Sequence, residues 1–256
     1  MKRQRILTVF KTEMKKIIRT PLFLVFSIFF VALLVVIFGF ALGNNYGWGP
    51  DAYGTPRSIF EHMVPGMFAY AGILIIFTVA SSFTGDRDLG VERRMNTTPI
   101  TSGEVMIGQM LAYTIIPILQ TIIMLLTALL MGWRPTYLTI AGVVMFFIFM
   151  IFLSFCSVGL GLITATISKD AKTAGALAFI FIVPQQLFGS FIYMGEEARV
   201  VGYAMPSQYV ADALYRMSYG PSLADIHIWI DLIVIIAVSF IIYLIGLYLY
   251  NRAKST

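Results

Sequence analysis

Long uncharged stretches alternate with short polar ones along the chain, and the uncharged stretches carry most of its length. Six of them reach the roughly 20 residues that cross a bilayer's hydrocarbon core as a helix. The predicted spans are Leu22–Leu42, Met63–Phe83, Val105–Met131, Leu138–Ile167, Thr173–Met194 and Leu232–Tyr250. Pro21 opens the first, at a position where a missing backbone N–H costs nothing. Pro117 predicts a kink in the third span, and Pro184-Gln185-Gln186 predicts a break in the fifth. The first span has an uncharged core of 21 residues with no clear A-x-A site after it. It reads as a retained helix rather than a signal peptide.

Three polar segments stand out between and before the spans. Residues 1–20 form a basic amphipathic helix, with Ile6, Leu7, Phe10, Met14, Ile17 and Ile18 on one side and Lys11, Lys15, Lys16 and Arg19 mostly elsewhere. Such a helix is expected to lie in the membrane interface, apolar side in lipid and cations near anionic headgroups. Residues 195–229 mix Glu196, Glu197, Arg199, Asp212, Arg216 and Asp225 with aromatics, and "SQYVADALYRM" within them has a helical pattern. They predict short re-entrant helices between the fifth and sixth spans, bordering a cavity or a subunit interface, because irregular backbone at membrane depth needs shielding. Residues 85–104 are a short charged loop. The expected fold is therefore an all-α polytopic membrane protein, one domain over residues 1–256.

Composition agrees: 59% of residues are hydrophobic, 12% are charged, and the mean hydropathy is +0.85. A soluble domain carries about twice that charge fraction. With the N-terminus cytoplasmic, the inner segments hold 14 of the 18 lysines and arginines, whereas acidic residues divide evenly. That bias places both termini and residues 85–104 on the cytoplasmic side. The net charge of +5 is thus a topology signal and no argument for a nucleic-acid partner. The single cysteine, Cys156, lies in an apolar run, and His62 and His227 have no ligand spacing, so no metal site is expected.

Other functions lose ground by what the sequence lacks. No Gly-Lys dipeptide occurs anywhere, so a G-x-x-x-x-G-K-[ST] phosphate loop is impossible. No span carries Asp, Glu, Lys or Arg at its middle. This disfavours an ion-coupled carrier, which usually places an ionisable or unwound site there. An intramembrane hydrolase would need a clustered acid, base or metal. The Asn96-Thr97-Thr98 sequon falls on the cytoplasmic side, where it is not used.

The charged loop, "DRDLGVERRMNTTPIT" at 86–101, has six ionised residues among its first nine. It has room for one short helix parallel to the membrane. Pro99 separates this from the next helix, where Thr101 and Glu104 have the spacing of a capping box. On composition alone the loop reads first as a solvated linker kept out of lipid by its charge. Gly90, Arg94, Met95, Thr98, Pro99, Ile100, Thr101, Glu104 and Gly108 nevertheless resemble the signature of ABC-2 type permeases, the membrane subunits of ATP-driven exporters. Glu92 and Arg93 stand where that family commonly has a more apolar or differently ordered pair. Further on, Pro206, Tyr209, Asp212, Ala213, Leu214 and Arg216 resemble the family's P-x-x-Y-x-x-[DE]-A-[LF]-R element. The order of helices resembles the family along nearly the full chain.

The resemblance implies that residues 85–104 form a coupling helix docked on a cytoplasmic ATPase, with Asp86, Arg87, Asp88, Glu92, Arg93 and Arg94 as its contact set. Mixed charge suits a contact that must hold its register on a moving partner. It implies an assembly of two permeases, expected to be a homodimer, and two ATPase subunits that bind ATP and Mg, with no cofactor on this chain. It places the assembly in the cytoplasmic membrane of a bacterium or archaeon. Cargo would pass between the permeases along the second and fifth spans, where Phe68, Tyr70, Phe77, Phe179, Gln185, Gln186, Phe188 and Phe191 are the candidates. An aromatic lining with two amides suits an amphipathic, lipid-like or drug-like substrate. An ion-coupled carrier or channel and a membrane scaffold or sensor subunit are the competing classes.

Overall fold

A computed structural model describes residues 2–19, 21–46, 53–90, 100–189 and 200–255. These residues form helices and connecting turns, with no strand among them. The helices are α1 (Lys2–Arg19), α2 (Pro21–Leu42), α3 (Ile59–Asp88), α4 (Ser102–Leu130), α5 (Ile140–Ile167), α6 (Ala171–Gly189), α7 (Pro206–Tyr219) and α8 (Ile226–Ser255). Five are long and apolar enough to cross a membrane: α3, α4, α5, α6 and residues Ile226–Arg252 of α8. The apolar stretch Ser27–Leu42 of α2 is shorter.

Local chemistry sets where the helices start and stop. Ser58 and Glu61 close a capping box at α3, with Glu61 N–H donating to Ser58 Oγ at 3.2 Å and Ser58 N–H donating to Glu61 Oε2 at 3.1 Å. Thr101 and Glu104 do the same at α4, as their spacing predicts. Each box satisfies two N–H groups that a helix start leaves without partners. α4 ends in a left-handed glycine: Gly132 has φ +95°, and Trp133 N–H reaches back to the Ala128 carbonyl at 2.9 Å. Pro117 and Pro184 both stand inside continuous helix. The break expected at Pro184 therefore does not occur, and α6 runs on to Gly189; just beyond the proline, Gln185 Nε2 donates to the Phe181 carbonyl at 3.1 Å.

α3 is the centre of the bundle. In its most apolar window 83% of residues are buried, against 22% for α8. It packs on α5, α6 and α7, and α8 covers α5 and α7 from the other side. Small residues allow the close approach. A Cβ added to Gly161 of α5 would sit 2.8 Å from Val79 Cβ and 2.9 Å from the Ile76 carbonyl of α3. Lipid tails are as apolar as leucine, so helices in a membrane associate through such tight packing. Gly175 of α6 meets Phe77 in the same way, and Ala178 is buried, whereas Ala176 faces outward.

α1 differs from its expected setting. Val9, Glu13 and Ile17, four residues apart, are buried, and the face they define lies on α4. Phe10 and Met14 pack into the same cluster as Met106, Met110, Tyr113 and Ile116, while Leu7 and Ile18 stay exposed. Most of the apolar stripe is thus covered by protein. Gly108 makes this possible, because a Cβ there would meet Val9 Cβ at 2.8 Å.

Candidate functional site

The last turn of α3 brings together residues that are far apart in sequence. Asp86, Arg87 and Asp88 were expected in a loop with a short helix of its own, yet they continue α3, which stops only at Leu89 and Gly90. Gly90 has φ +70° and donates its N–H to the Arg87 carbonyl, the left-handed ending that a residue with a Cβ adopts at a cost. What holds the turn helical is that two of its charges have partners inside the chain. Asp86 pairs with Lys16 of α1. Arg87 donates to the Ala165 carbonyl at 3.2 Å and to the Ser168 carbonyl, at the end of α5. Those are carbonyls a helix C-terminus leaves without partners, and a cation there also meets the negative end of the helix dipole. Asp88 is exposed, and Leu89 is 75% exposed. Glu92, Arg93 and Arg94 lie outside the described residues.

Beneath this turn is a buried polar knot. Glu13 is only 6% exposed. Its carboxylate accepts from Gln109 Nε2 at 3.2 Å and from the Tyr113 hydroxyl at 3.4 Å, both on α4. Ser82 of α3 lies 2.7 Å from the same tyrosine oxygen and donates to it, since the phenol hydrogen is committed to Glu13. Burial raises the Glu13 carboxyl above its ordinary value, an effect that Lys16 and the Gln109 bond oppose. Nearer the start of α1, Arg5 approaches Glu104 at 3.8 Å. The connection between α5 and α6 lies on this same end of the bundle through Arg87. There Asp170 accepts from Thr173 N–H at 2.9 Å, a bond that holds its carboxyl below the usual range.

The model of the ABC-2 type transporter family covers residues 4–219. The chain belongs to the ABC-2 type transporter family. No curated relative matches it. This permease is a multi-pass membrane protein and a transport component, and permeases of its family normally work with an ATPase subunit.

The pathway candidates of the permease divide into separate groups. Phe68 is fully buried, edge-on to Phe146 at 4.7 Å and tilted against Trp133 at 5.9 Å. Tyr70 and Gln185 are also buried, and Gln186 and Phe188 are half-buried. Phe77 and Phe179 come together across α3 and α6 at 5.7 Å and keep an exposed side, 37% and 48% respectively. Phe191 lies outside the described residues. Of the six expected coupling charges, the structure brings Asp86 and Arg87 into intramolecular contacts and turns Asp88 outward. Sequence reasoning missed Glu13, Lys16, Gln109 and Tyr113 as parts of the site. One signal was available: Glu13 is the only acidic residue of α1 and sits midway between Val9 and Ile17 on the apolar stripe.

Proposed function

We propose that this permease is the membrane subunit of an ATP-driven exporter, moving an amphipathic, lipid-like or drug-like substrate outward across the cytoplasmic membrane. ATP and Mg are bound by a separate cytoplasmic ATPase, present in two copies, and two permeases assemble as a homodimer. Membership of the ABC-2 family carries the reading. The 22-residue apolar helix α2 supports a sixth span, and the lysine and arginine bias supports cytoplasmic termini. The exposed Asp88 and Leu89, which precede Glu92, Arg93 and Arg94 in the sequence, support a coupling segment that contacts a partner. The outward sides of Phe77 and Phe179, with exposed Ile180 and Val183 beside them, support a second permease and a cargo path along α3 and α6. The short helix α7, 14 residues long, supports a re-entrant segment on the outer face.

The test is a mild-detergent pull-down from native membrane followed by mass spectrometry. The expected result is recovery of an ATPase with a phosphate-binding loop, lost when Glu92, Arg93 and Arg94 are all changed to alanine. Recovery of no ATPase after crosslinking refutes the reading and favours an ion-coupled carrier.

A further inference from the structure

The polar knot under the α3 turn is built from three pairs, one on each of three helices. Glu13 and Lys16 lie three apart on α1, Ser82 and Asp86 four apart on α3, and Gln109 and Tyr113 four apart on α4. Residues at these spacings share a helix face. The three faces meet, so every helix is bonded to the other two: α1 to α4 through Glu13, α1 to α3 through Lys16 and Asp86, and α3 to α4 through Ser82 and Tyr113. A buried carboxylate is costly unless it is paired and hydrogen-bonded, and apolar packing alone would serve to glue α1 down. Packing slides, however, whereas directed bonds fix register. Glu13 is the one member whose loss disconnects α1 from α4 within the knot.

We propose that Glu13 is a positioning residue that passes displacement of the α3 turn and α1 on to α4, and so to the opposite end of the bundle. This rests on the exporter reading, in which an ATPase moves the segment after Asp88. The Lys16–Asp86 pair delivers the movement to α1. Glu13 and Tyr113 deliver it to α4, which leads through its Gly132 turn to the buried Trp133.

The experiment uses the permease–ATPase complex in lipid nanodiscs, with Tyr203→Cys as a reporter at the α7 end, labelled by a membrane-impermeant maleimide. Tyr203 is exposed, and the native Cys156 is buried. ATP is expected to change the labelling rate of the otherwise unsubstituted complex. Glu13→Gln is expected to abolish that change while the KM for ATP stays the same, and Glu13→Asp to restore part of it. Tyr113→Phe, which removes one hydroxyl and keeps the ring, is expected to weaken the change and serves if Glu13→Gln does not accumulate. A full ATP-dependent change in both Glu13→Gln and Tyr113→Phe overturns the inference while leaving the exporter reading intact. If no ATPase accompanies the unsubstituted chain, or ATP leaves its labelling unaltered, the exporter reading falls and the inference with it.

Discussion

The two ends of the bundle are held by different chemistry. At the α7 end the fastening is aromatic and buried: Trp133 Nε1 donates to the Tyr219 hydroxyl at 2.7 Å, which donates on to the Glu61 carbonyl at 3.0 Å. Arg57 stacks over the Tyr219 ring at 3.9 Å from its centre and donates from Nη2 to Thr136 Oγ1 at 3.2 Å. His62 and Tyr53 both stack on Tyr215, which meets Tyr219 edge-on. At the α1 end the fastening is ionic and amide, with partly exposed members such as Lys16 and Asp86. Buried rings contribute large, non-directional stabilisation and have few alternative arrangements. Partly exposed ion pairs contribute little, and so exchange partners at little cost.

That contrast breaks most readily at the rings. Trp133→Ala should destabilise the permease by about 3–5 kcal/mol, since it removes a fully buried ring and the indole donor to the Tyr219 hydroxyl. Loss of monodisperse protein in detergent, or a much lower Tm, is the expected observation; a near-native Tm would mean the α7 end is not fastened by its rings. Between the two ends, Gly161→Leu should cost about 1–3 kcal/mol by forcing α5 away from α3. A smaller effect is expected at the near end. Lys16→Ala should cost no more than about 1 kcal/mol, because both partners are partly solvated, and the difference from the unsubstituted chain should shrink in about 1 M salt. A salt-independent loss of several kcal/mol would show a fastening as rigid as the far one.

The most selective prediction concerns pH. Burial holds the Glu13 carboxyl above its ordinary 4.5, so the folded chain binds a proton that the unfolded chain has released. The stability this contributes is full below pH 4.5 and is lost as pH rises through the raised value. Asp225 behaves oppositely. It accepts from His227 N–H at 3.0 Å, foremost among the causes that hold its carboxyl below its ordinary 3.8, so its contribution is present above 3.8 and is lost as pH falls through the lowered value. Above pH 4.5 the unsubstituted permease should therefore lose stability with rising pH relative to Glu13→Gln, while Asp225→Asn alters only the acid limb. Parallel Tm-against-pH curves for the unsubstituted chain and Glu13→Gln would remove the near-end carboxylate from the comparison.

The sequence by itself determined the helical, membrane-spanning class, because in hydrocarbon a backbone must satisfy its own hydrogen bonds and uncharged runs of this length leave helix as the economical solution. It determined the helix start at Thr101, whose partner Glu104 sits three residues away, while the second span was expected only from Met63 and its helix starts four residues earlier, after the Ser58 cap. It also carried the family, through residues spaced along the loop before α4 and along α7. Tertiary structure decided everything that depended on a distant partner. Asp86 and Arg87 had the composition of an outward-facing loop, yet they turned inward because Lys16, 70 residues away, and the carbonyl end of α5 were there to receive them. The apolar stripe of α1 had the pattern of a lipid-facing helix, and the close approach that Gly108 allows let α4 cover most of it. Phe68 and Phe77 were alike as phenylalanines of one span; packing buried the first against Trp133 and left the second with an open side. A periodic pattern specifies which face of a helix is apolar, but what covers that face is settled by the shape and charge of the neighbours that folding delivers.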